Sequence, residues 1–160
     1  MFGFGRNKQR EIDKARAQQE FINNSVEVFM EHQLENTKIY ECYPRKLEQQ
    51  AVAELMMLGA IDYSAQLVKA PGEEQFLASL MNLLVSVFDY QSTASAERAA
   101  SLFHAVYDEP ADPAAHELML IGGDAMAKYA TAANSGDHAK LRGPSLTLTQ
   151  LMRDGRQIRV

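Results

Sequence analysis

Residues 73–90 read EEQFLASLMNLLVSVFDY. Between Phe76 and Phe88 only Ser79, Asn82 and Ser86 are polar. They fall at i, i+3 and i+7, one narrow uncharged stripe along a helix. A helix apolar nearly all round belongs at the buried centre of a fold. This one is too short to span a bilayer. The stretch therefore predicts a central helix, third in the chain, with Leu80, Leu83, Leu84 and Val87 almost fully buried. The stripe is expected to be its thin solvent-facing strip.

The flanking sequence also reads as helix. Upstream, residues 44–70 are apolar over a wide arc, with Leu47, Ala51, Leu55, Leu58 and Ala65 along one side. Pro44 suits the first turn of this second helix, and Ala70-Pro71-Gly72 ends it. Gly59 weakens its interior by up to about 1 kcal/mol relative to alanine, which suggests a close approach by another helix. The first helix is expected from about residue 7 to the mid-30s. Ile12, Ala15, Ile22, Val26 and Phe29 recur at three- and four-residue spacing, and Gln19 and Gln33 interrupt that seam. A helix of this length is expected to project beyond the domain at its N-terminal end. Phe2 and Phe4 lie between glycines, a pattern expected of an unordered start rather than a docking arm.

Downstream, Ser92 or Thr93 is a good N-cap for a fourth helix with a small-residue face at Ala96, Ala99 and Ala100. Asp112 followed by Pro113 marks the start of a fifth. Gly122-Gly123 lie inside it and permit close backbone contact, and Asn134-Ser135-Gly136 end it. The remaining segment alternates Leu146 and Leu148 with Thr147 and Thr149, and Asp154-Gly155 is a turn signal. A hairpin competes there with a short helix capped by Ser145 and stopped at Gly155. The helix, followed by an extended end, is the preferred reading.

The expected fold is all-α: a single five-helix bundle-like domain with a buried central third helix and a short C-terminal tail. Residues 1–137 form the helical domain and residues 138–160 the basic tail. The chain has 160 residues and a net charge of −5. Residues 51–137 carry three Lys/Arg against twelve Asp/Glu, whereas residues 138–160 carry five against one. An acidic middle repels nucleic acid, so no nucleic-acid partner is expected. No run of 18 apolar residues is present, so no membrane span is expected. A lone cysteine, Cys42, excludes an intramolecular disulfide and reads as a structural or incidental thiol, and the cytoplasm is the expected compartment.

Residues 104–117, HAVYDEPADPAAHE, carry the most pointed chemistry. His104 and Asp108 are four apart, as are Asp112 and His116, and each pair would share a helix face. Mirrored across a turn, these four residues are the candidate metal ligands. Against that, an N-capping Asp112 would bond the first turn of its helix and could not point along the face with His116. Capping is the preferred reading, and no cofactor is expected. The chain holds no phosphate-binding loop, no dinucleotide-binding glycine motif, no nucleophile elbow, no His-Glu-x-x-His and no Cys-x-x-Cys. The residues three before His32, His104, His116 and His138 are Phe29, Ser101, Pro113 and Ser135, so the Glu-x-x-His pattern of di-metal bundles is absent.

No enzyme class is favoured. The expected function is non-catalytic, through protein–protein contact of the adaptor, inhibitor or immunity type, with an unidentified protein partner and a homodimer as one form. The alternative is a small-ligand- or metal-binding helical protein, including an enzyme. A polar internal pocket would favour the alternative; a filled core with exposed apolar surface would favour the first.

Overall fold

The first helix, α1 (Phe4–Ile39), is 36 residues long. At 1.5 Å per residue it spans about 54 Å. The computed structural model describes residues 4–70 and 72–160, with side chains from residue 7 onward. Phe2 and the side chain of Phe4 lie outside the described residues. The helix begins earlier than the sequence suggested. Its residues 7–14 are all exposed, and burial starts at Ala15 and Gln18. Gln18 there donates to the Val68 carbonyl at 2.9 Å. Ile22, Val26 and Phe29 are fully buried, so the apolar seam faces the body, while Ile12 remains 52% exposed on the projecting part.

Four more long helices follow: α2 (Leu47–Leu67), α3 (Gly72–Phe88), α4 (Ser92–Tyr107) and α5 (Pro113–Asn134). A 3-10 turn at His138–Leu141 and one α turn at Arg142–Ser145 lead into α6 (Thr147–Arg153). No strand is present among the described residues. The tail adopts the helical reading rather than the hairpin. Ser145 does not cap it, because its hydroxyl donates back to the Leu141 carbonyl at 2.6 Å. Gly155, at φ +73, makes the left-handed turn that ends the helix and releases residues 156–160 as an extended strap. Among the described residues, six helices of seven residues or more thus form the bundle, with α6 added to the five expected.

The central helix is α2, not α3. Every residue of α2 from Ala51 to Ile61 is buried, including Glu54. In α3 only Ser79, Leu80, Leu83 and Leu84 are buried; Val87 is half-buried, and Asn82, Val85 and Ser86 face solvent. Backbone proximity decides the exchange. A Cβ on Gly59 would lie 1.8 Å from the Met119 carbonyl oxygen, and one on Gly122 would lie 2.1 Å from the Met56 carbonyl oxygen. α2 and α5 therefore cross with their backbones in contact, and this pair makes the most extensive helix packing in the molecule. α1, α3 and α4 also contact α2, so no long face of it is left to water. The fourth helix starts at Ser92 with Gln91 as N-cap, and α2 starts three residues after Pro44, so neither sequence-based start is met to the residue.

The tail docks on the bundle of its own chain. Gln33 of α1 is fully buried and reads it twice: its Nε2 donates to the Pro144 carbonyl at 2.5 Å, and its Oε1 accepts from the Leu148 amide at 2.9 Å. Leu148, Met152 and Ile158 are buried in the common core. The Ile158 amide donates to the Glu48 carbonyl at 3.0 Å. Cys42 is half-buried beside the same helix, with Sγ 3.8 Å from the Thr149 carbonyl oxygen.

Candidate functional site

The four candidate metal ligands divide between separate tasks. His104 Nδ1 contacts the Asp108 carboxylate across one helical turn, with both side chains more than half exposed. Asp112 caps α5, its Oδ1 accepting from the amides of Ala114 at 2.8 Å and Ala115 at 3.2 Å. That carboxylate is held at the helix terminus, as capping requires. His116 is exposed on the first turn of α5. Among the described residues, no three His, Cys, Asp or Glu side chains come together in a way that could hold a metal ion.

The strongest polar cluster was not anticipated from the sequence. Glu54, in the middle of the buried run of α2, has no exposed surface. Its Oε2 accepts from Arg98 Nε at 2.7 Å and forms an ion pair with Nη2 at 2.6 Å. Its Oε1 accepts from the Tyr90 hydroxyl at 2.7 Å and from Gln50 Nε2 at 3.0 Å. Arg98 also donates through Nη1 to the Val160 carbonyl at 2.7 Å, which ties the strap to α2 and α4. Burial pushes the Tyr90 phenol up to about 12, and its bond to the Glu54 carboxylate acts in the same direction. The one legible signal was a charged residue inside an apolar run. Tyr90 and Arg98 lie 36 and 44 residues away, beyond the reach of helical spacing.

The chemistry of this cluster is restrictive. Three hydrogen bonds and the Arg98 ion pair engage both oxygens of Glu54, so the carboxylate is occupied by the protein's own groups. A pocket of about 270 Å³ beside it is lined by Leu47, Glu48, Ala51, Ile158 and Arg159 together with Gln50, Tyr90, Arg98 and Val160. The strap supplies three of these residues, so the chain's own end forms one wall of this concavity. The other grooves are likewise open to solvent, including one of about 560 Å³ between α5 and the Gly143–Thr147 segment.

The outer face of α1 presents the other distinctive surface. Ala17, Phe21, Asn24 and Val28 recur at four-, three- and four-residue spacing, and all are exposed. Phe21 is 45% and Val28 46% exposed, beside Ile12 at 52% and Ile39 at 64% on the same helix. This row interleaves with the buried row Ile22, Val26 and Phe29 on the opposite side. Both rows have helical periodicity, so spacing alone does not tell which one faces the core.

No family model matches the chain, and neither the curated proteins nor the solved structures include a match.

Proposed function

We propose that the protein is non-catalytic, resides in the cytoplasm, and works through contact with another protein chain, using the outer face of α1. The observation that carries this reading is the exposed row Ala17, Phe21, Asn24 and Val28, apolar at three of its four positions, on the longest helix. Exposed apolar surface costs free energy in water, at about 25 cal/mol per Å², so a row of it on one face favours a covering partner. Two further features support the reading. The core is filled by interlocked apolar side chains from α1 to α6 and the strap. The buried carboxylate that would otherwise suggest chemistry is engaged at both oxygens by the protein's own donors. No helix is long and apolar enough to cross a membrane among the described residues.

Native mass spectrometry of the protein purified from its own cells tests this reading. The expected species exceeds the 17.9 kDa of one chain by the mass of a further polypeptide. Phe21→Glu/Val28→Glu should return it to the single-chain mass. Recovery of one chain carrying a small molecule or an ion would overturn the reading in favour of a ligand-binding protein.

A further inference from the structure

The exposed row on α1 continues in the same rhythm beyond its apolar centre. Toward the N-terminus come Lys14 and Arg10, and toward the C-terminus Glu31 and Glu35, all exposed. From Arg10 to Glu35 the spacing alternates four, three, four, three, the repeat of a coiled-coil seam. At 100° per residue, roughly, this row lies opposite the buried face of the same helix, so the rest of the bundle does not obstruct it. Arg10, Lys14 and Glu31 form no ion pair among the described residues, and Glu35 meets Lys38 only at 4.0 Å.

We propose that this row is a self-complementary seam through which two copies of the chain pair by antiparallel contact of their α1 helices. The proposal rests on the reading of the outer face as a protein-contact surface and names its partner. The sequence of the row carries the argument. About a two-fold axis between Phe21 and Asn24, Phe21 of one copy meets Asn24 of the other, and Ala17 meets Val28. In the same register Lys14 meets Glu31 and Arg10 meets Glu35. Large side chains oppose small or polar ones, and both ends of the seam bring cations to anions. An isologous two-fold contact makes every one of these pairs twice. A parallel arrangement would instead stack Lys14 on Lys14 and Glu31 on Glu31, which is repulsive. Asn24 at a seam position is the kind of polar residue that fixes register at some cost in stability. One flank opposes the contact, because Glu20 and Glu27 approach each other there. Arg16, 3.1 Å from Glu20 within its own helix, offsets that repulsion. With two large apolar residues per copy, the dimer is expected to be concentration-dependent and to weaken with salt, as exposed ion pairs do.

Sedimentation equilibrium of the full chain across a hundredfold range of concentration tests this, with circular dichroism to verify folding. The wild type should shift from monomer toward dimer. Phe21→Glu/Val28→Glu should stay monomeric with an unchanged melting transition, since both side chains are already half exposed. Should that variant lose helix content, Phe21→Ser/Val28→Ser serves in its place. The decisive pair reverses the charges. Arg10→Glu/Lys14→Glu alone and Glu31→Lys/Glu35→Lys alone should each dimerise at least roughly tenfold more weakly than wild type. Mixed in equal amounts they should associate again, because each reversed end then meets its complement. A monomeric wild type, a dimer that survives Phe21→Glu/Val28→Glu, or mixed variants no tighter than either alone would overturn the proposal. If the wild type is monomeric while a different polypeptide bound in cells is lost with Phe21→Glu/Val28→Glu, the second-copy proposal fails and the protein-contact reading stands. If that polypeptide stays bound to the variant, the outer face is wrong for both.

Discussion

α2 and α3 are consecutive helices of similar length, each with a long apolar run, and they end up in different surroundings. α2 is enclosed on every side from Ala51 to Ile61. α3 keeps Asn82, Val85 and Ser86 in solvent and buries only one side. The contrast is not one of apolar content, since α2 carries Glu54 inside its buried run and α3 carries no charge between Gln75 and Phe88. It is one of side-chain size. α2 places Gly59 where α5 crosses, flanked by Leu58 and Ala60, while α3 from Leu80 to Phe88 has nothing smaller than serine. A helix can be surrounded only if its neighbours come close, and glycine lets two backbones touch. Centrality thus follows from the smallest residue at the crossing rather than from the most apolar helix.

The most severe way to break this contrast is to add one carbon at the crossing. Gly59→Ala places a methyl 1.8 Å from the Met119 carbonyl oxygen, and Gly122→Ala places one 2.1 Å from that of Met56. Neither obstacle is a flexible side-chain end, so α2 and α5 must separate. Each substitution is expected to cost on the order of 4 kcal/mol or to prevent folding, as measured by urea unfolding. Gly123→Ala meets the Gly59 carbonyl oxygen at 3.3 Å and should be far milder. Equal effects at the three glycines would remove the crossing as the explanation.

The next largest effect concerns the charge that α2 tolerates at its centre. Arg98→Ala leaves the fully buried Glu54 carboxylate without its cation, and is expected to cost about 3–5 kcal/mol. Replacing the pair together, Glu54→Met with Arg98→Met, should recover most of that loss, because a buried ion pair is often matched by apolar groups of similar volume. A double variant as unstable as Arg98→Ala would show that the cluster, with its bond to the Val160 carbonyl, holds the strap in a way packing does not replace.

α3 sharpens the contrast within one helix. Leu84 is fully buried, so Leu84→Ala should cost roughly 2–5 kcal/mol from lost transfer energy and the cavity left behind. Val85, one position on and 38% exposed, should lose less than about 1 kcal/mol on change to serine. On α2 no such pair of adjacent positions exists between Ala51 and Ile61. Similar losses at positions 84 and 85 would mean that α3 is covered on both sides in solution.

The smallest expected effect is a pH dependence in the alkaline range. The Tyr90 phenol is raised from its ordinary value of 10.0 to about 12 in the folded state, first by burial and then by Glu54. Between these values the folded protein retains a proton that the unfolded chain has lost, so stability falls as pH rises from about 10 to about 12. Below that window both states are protonated and the group contributes no slope. Burial raises Tyr107 and Tyr129 in the same direction. Chemical denaturation across this range should show a shallower decline for Tyr90→Phe than for the wild type; an identical slope would leave Tyr107 and Tyr129 to account for it.

Much of the local structure was legible in the chain. Asp112-Pro113 identified the start of α5, and the carboxylate does accept from the first-turn amides. Gly155 identified the end of the last helix. Helix ends without glycine were harder to place: Glu41, Lys69 and Asp89 adopt left-handed φ values of 56, 53 and 59 after α1, α2 and α3. Residues with a Cβ do not favour those conformations; here each closes a helix end, the next amide bonding back to Thr37, Ala65 and Leu84 respectively. In the same way the sequence offered Gly59 and Gly122-Gly123 as two places of close approach, without saying that they meet each other.

By itself the sequence determined that the chain is all-helical, where its helices lie to within a few residues, and which residues are apolar enough to be buried. Those properties follow from local propensity and from a period of 3.6 residues, both written in neighbouring residues. Tertiary structure alone decided which helix is central, which of the two interleaved rows on α1 faces solvent, and that Glu54, Tyr90 and Arg98 form one cluster. The physical reason is that burial and pairing depend on what approaches from elsewhere in the chain, and the contacts that settle them join residues 36 to 115 positions apart.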